Sequence, residues 1–149
     1  MPNIGSTPEA FVRLAIAQAE EAARTGNRPF GAVIVGPDGT LEITERNRVR
    51  DDLDPTSHAE MNAIRGLCRR RRMLTLDGCV LYANAQPCPM CFGAIVEARI
   101  AAVHFGAPAS PGIWPVPLEV FAERAGPRVR VHSGVLQAEA IAQLARLVA

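Results

Sequence analysis

The sequence predicts an α/β fold, a three-layer α/β/α sandwich with a central mixed five-stranded sheet. Stretches with helical apolar spacing alternate along the chain with short apolar runs typical of buried strands. One hairpin signal pairs two strands antiparallel, and one short helical crossover makes two later strands parallel. The chain has 149 residues, 48% of them hydrophobic, which is enough for one core. We therefore expect a single domain spanning residues 1–149.

The first part of the chain predicts a helix followed by a hairpin. Thr7-Pro8-Glu9 supplies an N-cap residue, a first-turn proline and a first-turn acid, and Gly26 is suited to ending the helix. Phe30–Val35 has the composition of a buried strand. Pro37-Asp38-Gly39 then predicts a turn into a second strand, Leu41–Thr44.

The middle of the chain predicts two helices that begin just beyond strands. After an irregular stretch, residues 45–57, an apolar helical pattern follows the turn-forming segment Asp54-Pro55-Thr56-Ser57, which places His58 and Glu60 in a first helical turn. Cys79–Ala83 is the third predicted strand. A second helix begins at Cys88, between two prolines, and leads to a fourth strand, Ala101–Phe105, parallel to the third.

The last part of the chain predicts a proline-rich loop over residues 106–117, a short helix over Leu118–Arg124, a fifth strand over Val129–Val131 and a closing helix over Val135–Leu147. The loop contains the only tryptophan, Trp114. This side chain is suited either to stacking on a planar base or to a surface or interface position.

His58, Cys88 and Cys91 form the most informative pattern. Zn²⁺ prefers imidazole nitrogen and thiolate sulfur, and a catalytic zinc site uses three protein ligands with a fourth position open. The three-residue spacing places Cys88 and Cys91 on one side of a helical turn, where the helix N-terminus favours thiolate. Glu60 remains unligated and is free to move protons between the zinc-bound water and a substrate.

These motifs resemble the cytidine-deaminase-like zinc hydrolase superfamily, in which H-x-E and P-C-x-x-C occur together. Within that superfamily, the sequence resembles more specifically the branch that contains bacterial guanine deaminases and tRNA adenosine deaminases. About half of the chain carries it, in the segments Phe30-Gly31-Ala32-Val33, Asp54 to Glu60, Pro87 to Cys91, and Val103-His104-Phe105-Gly106.

The resemblance implies a role for each matching residue. His58, Cys88 and Cys91 are expected to hold zinc, with Glu60 as the proton shuttle. Asn47 occupies the position of a substrate-binding asparagine, and the backbone N–H of Ala59 is expected to point at the substrate. Phe30 and Trp114 are the aromatic candidates for contact with a base.

Two further features differ from the pattern of many relatives. Gln86 stands where many relatives carry a glutamate before the Pro-Cys pair. No C-terminal carboxylate of the kind that guanine deaminases use can be aligned, so the candidates remain Glu119, Glu123 and Glu139.

The function implied is hydrolytic deamination of a purine-like base or nucleoside, guanine-type first. The alternatives are tRNA adenosine deamination, a cytosine-type pyrimidine deaminase, and, outside enzymes, a structural zinc module. A structural module needs four protein ligands, but Cys68 and Cys79 do not form a second Cys-x-x-Cys pair. A structural zinc module would also give the carboxylate of Glu60 no role.

The charge pattern does not favour nucleic acid as a partner. The chain has 16 basic and 15 acidic residues, and a net charge of +1. Asp51, Asp52 and Asp54 precede His58 and would repel a phosphate backbone, while the basic run Arg69–Arg72 suits a helix end. We therefore expect a small-molecule partner.

Compartment and assembly follow from weaker signals. The sequence has no apolar run of membrane-spanning length and no signal-peptide pattern, and its four cysteines suit metal binding better than disulfides. We therefore expect a cytoplasmic protein that does not contact membranes. The family branch is usually homodimeric, and Phe92, Ile95 and Val96 offer apolar surface that predicts an interface near the Cys88 helix.

Overall fold

The computed structural model describes residues 5–109, 120, 123 and 128–148. Five helices and five strands are assigned in this part of the chain. The helices are α1 (Pro8–Arg24), α2 (Val49–Asp52), α3 (Ala59–Arg71), α4 (Pro89–Glu97) and α5 (Gln137–Val148), and the strands are β1 (Gly31–Val35), β2 (Leu41–Arg46), β3 (Val80–Ala85), β4 (Ala102–Ala107) and β5 (Arg130–His132).

The five strands form one mixed sheet in the order β2-β1-β3-β4-β5. β1 is antiparallel to both β2 and β3, whereas β3, β4 and β5 run parallel. The short crossover through α4 places β4 beside β3 in the predicted parallel register, with Leu81 opposite Val103. The predicted mixed α/β fold and its hairpin are therefore confirmed.

Helices cover both faces of the sheet and create two separate cores. On one face α3 and α4 bury their apolar sides against β1, β3 and β4, where Leu67, Phe92 and Ile95 are almost fully buried. On the other face α1 packs against β1 and β3 through Phe11 and Val12. α5 completes this second layer beside the ends of β3 and β4.

The contact of α1 with the sheet depends on a glycine. A Cβ atom on Gly31 would lie 2.1 Å from the carbonyl oxygen of Ala15. No side chain fits in that space, so the absence of one lets the helix backbone approach the first strand closely. Thr7 begins the same helix as predicted, since its hydroxyl accepts a hydrogen bond from the N–H of Ala10 at 3.2 Å.

Buried amides connect the layers. Asn84, at the end of β3, accepts a hydrogen bond from the N–H of Gly31 at 2.9 Å and donates to the carbonyl of Pro29 at 2.9 Å. It also contacts the side chain of Gln143 at 3.3 Å. Gln143 in turn donates to the carbonyl of Ile16 at 2.7 Å. This network joins α1, β1, β3 and α5.

A stack of aromatic rings crosses the parallel strands. Tyr82, His104 and His132 lie side by side in register, with ring centroids 4.9 Å and 4.4 Å apart. Burial, together with the neighbouring His132 and Arg130, lowers the pKa of His104 to about 4. His104 therefore folds as a neutral ring.

The structure differs from the sequence predictions at several element ends. β3 and β4 each begin one residue later and extend two residues further than predicted, and the irregular stretch before His58 contains the short helix α2. Most of the predicted helix over Leu118–Arg124, as well as Trp114, lies outside the described residues. In the described part of the chain, no helix has the length and apolar character needed to cross a bilayer.

One prediction about surface is wrong. Phe92 and Ile95 are not apolar surface on the Cys88 helix, because their exposed fractions are 1% and 0%. Both side chains, with Val96 packed alongside, fill the core between α3, α4 and the sheet. They therefore provide no support for an interface at that helix.

Candidate metal centre and adjoining groove

The start of α3 is shaped by the turn that precedes it. The carboxylate of Asp54 accepts hydrogen bonds from the backbone N–H of Thr56 at 2.8 Å and from its hydroxyl at 2.7 Å. His58 follows as the N-cap residue, in an extended conformation with φ −68° and ψ 155°. It therefore lies one residue before the helix, not in its first turn as predicted, while Glu60 does lie in that turn.

The start of α4 is shaped by its own metal-ligand candidate. Cys88 is the N-cap residue, and its sulfur accepts a hydrogen bond from the N–H of Cys91 at 3.5 Å. Pro89 occupies the first helical position, where a missing N–H costs nothing. Cys91 is consequently held one turn further on, fully buried and on the same side.

The two helix starts bring three donors together. The ligand atoms of His58, Cys88 and Cys91 all lie within 4.8 Å of one another. The Nδ1 atom of His58 is 3.6 Å from the Cys88 sulfur and 3.5 Å from the Cys91 sulfur. Tetrahedral zinc with bonds of about 2.3 Å to sulfur and about 2.0–2.1 Å to nitrogen separates the two donors by about 3.5–3.6 Å. The donor geometry therefore fits zinc.

The electrostatics of the cluster also favour a divalent cation. Hydrogen bonds from the Cys91 thiol and from His58 lower the pKa of Cys88 to about 4. The same contact with Cys88, together with burial and the nearby Glu60, raises the pKa of Cys91. Two adjacent thiolates repel each other, and a bound cation is what stabilises both. Within the described residues, this trio is the only group of three candidate ligands, and it includes no fourth protein donor.

Glu60 lies beside the cluster without belonging to it. Its exposed fraction is 6%, although it occupies the second position of α3. Burial raises the pKa of its carboxyl group, and a hydrogen bond with the Cys91 thiol opposes that shift. A carboxyl group buried next to a metal centre, and not among its ligands, can exchange protons with whatever binds there.

Asn47 and Ala59 are both next to residues of the turn that carries His58: Ala59 follows His58, and Arg48, next to Asn47, donates its backbone N–H to the carbonyl of Ser57 at 3.0 Å. Asn47 is 2% exposed, its side-chain oxygen accepts from the N–H of Val49 at 3.1 Å, and its own N–H donates to the carbonyl of Phe30 at 2.9 Å. Ala59 is the first residue of α3, so its N–H belongs to the helical turn that has no intrahelical partners.

The cluster and its surroundings match a known group of zinc domains. Residues 6–107 match the family model of the cytidine and deoxycytidylate deaminase zinc-binding region, which is more than half of the chain. The chain belongs to this family. Zinc is therefore the cofactor of the domain, and the three-donor cluster is the site that fits it.

Relatives of this deaminase-family chain include both a guanine deaminase and tRNA-specific adenosine deaminases. It is 45% identical to the guanine deaminase of Bacillus subtilis (strain 168) over 100 residues, covering 66% of this chain and 64% of the relative. It is 42% identical to a tRNA-specific adenosine deaminase of Aquifex aeolicus (strain VF5) over 99 residues, covering 66% and 65%. The matched segment thus spans just under two thirds of each of these curated relatives.

A solved structure shows the same fold over most of the chain. It comes from a study of A-to-I editing by tRNA:A34 deaminases at the wobble position of transfer RNA. The TM-score is 0.81 at 34% sequence identity, and the match covers 90% of this chain and 98% of that one. The cytidine-deaminase-like architecture expected from the sequence is therefore confirmed.

An open groove of about 910 Å³, whose described lining contains no residue of the metal cluster, was not anticipated from the sequence. Its described lining is largely apolar and includes Phe30, Ile141, Leu144 and Val148. Arg28 and Arg50 also line it, and no acidic side chain does so among the described residues. Phe30 links this groove to Asn47, because its carbonyl accepts the N–H of Asn47 at 2.9 Å.

Gln86, which differs from the family pattern, holds the other wall of the groove. Its side-chain oxygen accepts a hydrogen bond from the N–H of Ala109 at 3.2 Å, and its own N–H donates to the carbonyl of Ala107 at 2.8 Å. Ala107 and Ala109 both line the groove. Gln86 therefore connects the segment just before Cys88 to the groove wall by neutral hydrogen bonds.

The aspartates before His58 are all engaged locally. Asp51 pairs with Arg46 at 3.0 Å, and Asp52 pairs with Arg48 at 3.4 Å. Asp54 is held in the turn that precedes α3. The negative charges of Asp51 and Asp52 are therefore offset by arginines in place, which the count of acidic residues in the sequence could not show.

Proposed function

We propose that this chain is a zinc-dependent hydrolase that replaces the ring amino group of a purine-like base or nucleoside, guanine-type first, with a carbonyl and releases ammonia. The observation that carries the proposal is the cluster of His58, Cys88 and Cys91 with a buried, unligated Glu60 beside it. The guanine deaminase relative, at 45% identity over 100 residues, supports guanine as the first substrate to test.

The roles of the site residues follow from their positions. Zinc, when bound by His58, Cys88 and Cys91, supplies a Lewis acid that makes water a stronger acid. The carboxylate of Glu60 then takes a proton from the attacking water and delivers it to a ring nitrogen. The water oxygen bonds to the ring carbon, and the remaining proton of that hydroxyl passes to the departing amino group, so that the C–N bond breaks, a carbonyl is left and ammonia leaves.

Neighbouring groups orient the base. The side-chain oxygen of Asn47 is fixed by the hydrogen bond that it accepts from the Val49 N–H. The side-chain NH2 group of Asn47 can still donate hydrogen bonds, and it is suited to the edge of a purine. The N–H of Ala59 at the start of α3 is a donor for a developing carbonyl oxygen. Phe30, half-buried at the groove, offers an apolar surface for the ring.

The second candidate is deamination of adenosine in tRNA. It is supported by the tRNA-specific adenosine deaminase relative at 42% identity and by the solved tRNA:A34 deaminase structure at a TM-score of 0.81. It requires a surface that attracts a polyanion, and most of the affinity would come from contacts of lysine and arginine with phosphate. The net charge of +1 gives it little support.

The test is a screen of the zinc-loaded protein for ammonia release. The panel contains guanine, adenine, cytosine, their nucleosides and a tRNA anticodon stem-loop. We expect turnover of a free purine or purine nucleoside and negligible inosine formation in the stem-loop. Efficient inosine formation in RNA with no turnover of bases or nucleosides would replace this proposal with the second candidate.

A further inference from the structure

Two arginines at the groove have no partner in the described part of the chain. Arg28 lies in the loop before β1 and Arg50 lies in α2, and both line the groove. Neither guanidinium forms an ion pair or hydrogen bond there. By contrast, the nearby Arg46 and Arg48 are engaged by acidic side chains. The groove therefore has two exposed positive charges that the fold does not use.

A buried asparagine holds the two arginine-bearing segments together. The side-chain oxygen of Asn27 accepts hydrogen bonds from the N–H of Arg50 at 3.0 Å and from the N–H of Asp51 at 3.3 Å. Asn27 is 7% exposed and immediately precedes Arg28. The backbone positions of both arginines are consequently fixed relative to each other before any ligand binds, which reduces the entropy lost on binding.

The groove that the two arginines line is connected to the metal-site segments by hydrogen bonds. Ala107 and Ala109 of its wall are bonded to Gln86, which lies two residues before Cys88. Phe30, two residues after Arg28, is hydrogen-bonded through its carbonyl to Asn47. A ligand with its base at the metal centre can therefore extend past Phe30 toward the two guanidinium groups.

We propose that Arg28 and Arg50 bind the phosphate of a nucleoside 5′-monophosphate whose purine-like base enters the zinc centre. This inference rests on the proposed function and narrows its substrate class. Guanidinium groups match phosphate oxygens in pairs of hydrogen bonds, and two of them balance one phosphate dianion. The apolar side chains of the same groove, such as Leu144, are suited to covering a sugar. Two unpaired cations suit one phosphate better than an RNA strand, which requires many phosphate contacts.

The test compares purine nucleosides with their 5′-monophosphates, using the zinc-loaded protein. Deamination kinetics and calorimetric binding are measured for the wild type, Arg28→Ala, Arg50→Ala and Arg50→Glu. Arg69→Ala is the matched control, because this exposed arginine lies eleven residues after His58, about 16 Å further along α3. A short single-stranded RNA containing the same base is assayed beside them.

For the wild type we expect kcat/KM at least about tenfold higher for the monophosphate than for the nucleoside, mainly through a lower KM. Each alanine variant should reduce that ratio about tenfold, Arg50→Glu should reduce it further, and Arg69→Ala should leave it unchanged. The preference should also weaken as salt is raised.

Three outcomes overturn the inference. Equal kcat/KM for nucleoside and monophosphate, with no change in the variants, leaves the deaminase proposal intact but removes the phosphate site. A preference for the RNA over the monophosphate assigns the arginines to a strand. Absence of turnover on the whole panel contradicts the proposed function itself, and the inference still fails if calorimetry then shows no loss of monophosphate affinity in the arginine variants.

Discussion

Glu60 lies only two residues after His58, but the two have different proposed roles at the metal centre: His58 is a ligand and Glu60 transfers protons. Because Glu60 is not among the donors, Glu60→Gln should keep the fold and about one zinc per chain. Its turnover should fall by about 10²–10⁴-fold, the usual cost of losing a general acid–base group. Metal analysis and ammonia release measure both quantities, with the exposed Glu97→Gln on α4 as the control. Near-native activity in Glu60→Gln would refute its proposed role.

Cys88 both begins α4 and supplies a thiolate. Cys88→Ala should lose zinc and unfold at a lower temperature, because metal binding contributes directly to the stability of a folded site. Cys68→Ala is the control, since Cys68 is half-buried on α3 and lies outside the metal cluster. Zinc content and thermal unfolding distinguish the two variants. Retention of zinc by Cys88→Ala would argue for a different ligand set.

The residues of the metal site could be predicted because their chemistry is local. The P-C-x-x-C spacing predicts that the two cysteines share a helical turn, and the H-x-E spacing places the histidine close to the glutamate. The turn and proline signals predict that each of the two motifs lies at the start of a helix. The charge of the groove could not be predicted in this way. Asp51 and Asp52 count as negative charges in the sequence, but Arg46 and Arg48 neutralise them, while the guanidinium groups of Arg28 and Arg50 have no partner among the residues that the structure describes.

At the scale of elements, the contact of α1 with β1 is the most constrained. Gly31→Ala should destabilise the protein by about 3 kcal/mol, because the new Cβ would lie 2.1 Å from the carbonyl oxygen of Ala15. Relief of that clash requires the backbone of α1 or β1 to move, and both elements are packed. Gly93→Ala in α4 is the matched control, since a Cβ there meets nothing within 4 Å. It should be neutral or stabilising by about 0.5–1 kcal/mol.

Denaturant unfolding of the two glycine variants measures both free energies. Equal stabilities would show that α1 can shift away from the sheet without cost. The order of the longer elements, the directions of the β1–β2 and β3–β4 pairs and the Thr7 helix cap were predictable here because each depends on short sequence signals. The ends of β3 and β4 were not, because Ala85 and Ala107 remain in the strands through pairing with each other, a tertiary effect.

At the scale of the whole molecule, acid stability should depend on the stacked ring of His104. Its pKa in the fold is about 4, below the ordinary value of 6.5, so between these pH values the unfolded chain binds more protons. Its contribution is therefore complete above pH 6.5 and is lost as the pH falls toward 4. The groups that act on it are His132, Arg130 and Glu9.

The variant His104→Phe should keep the ring stack. Its unfolding temperature should fall less between pH 7 and pH 4.5 than that of the wild type. Both proteins contain the same zinc centre, so the difference between their pH profiles isolates His104. Parallel profiles would contradict the prediction.

Formation of a homodimer remains a prediction, and the buried side chains of α4 do not support it. The family branch implies a homodimer, but the side chains expected at its interface, Phe92 and Ile95, fill the core. Sedimentation at micromolar concentration should give twice the chain mass, and a monomer mass would contradict it. If the dimer forms, its contacts must come from other surfaces, such as the exposed Leu53 and Leu74.

The last helix has two faces with separate tasks. Ala140 and Gln143 face inward, where Gln143 bonds to α1 and contacts Asn84, whereas Ile141, Leu144 and Val148 form one wall of the groove. Leu144 also packs against the buried Ala140, whereas Ile141 and Val148 are exposed and can be exchanged without disturbing the inward attachments. A directed-evolution library limited to these two positions should diversify substrate preference while most of its members remain folded. This helix would let a lineage acquire new substrates while its metal centre stays unchanged.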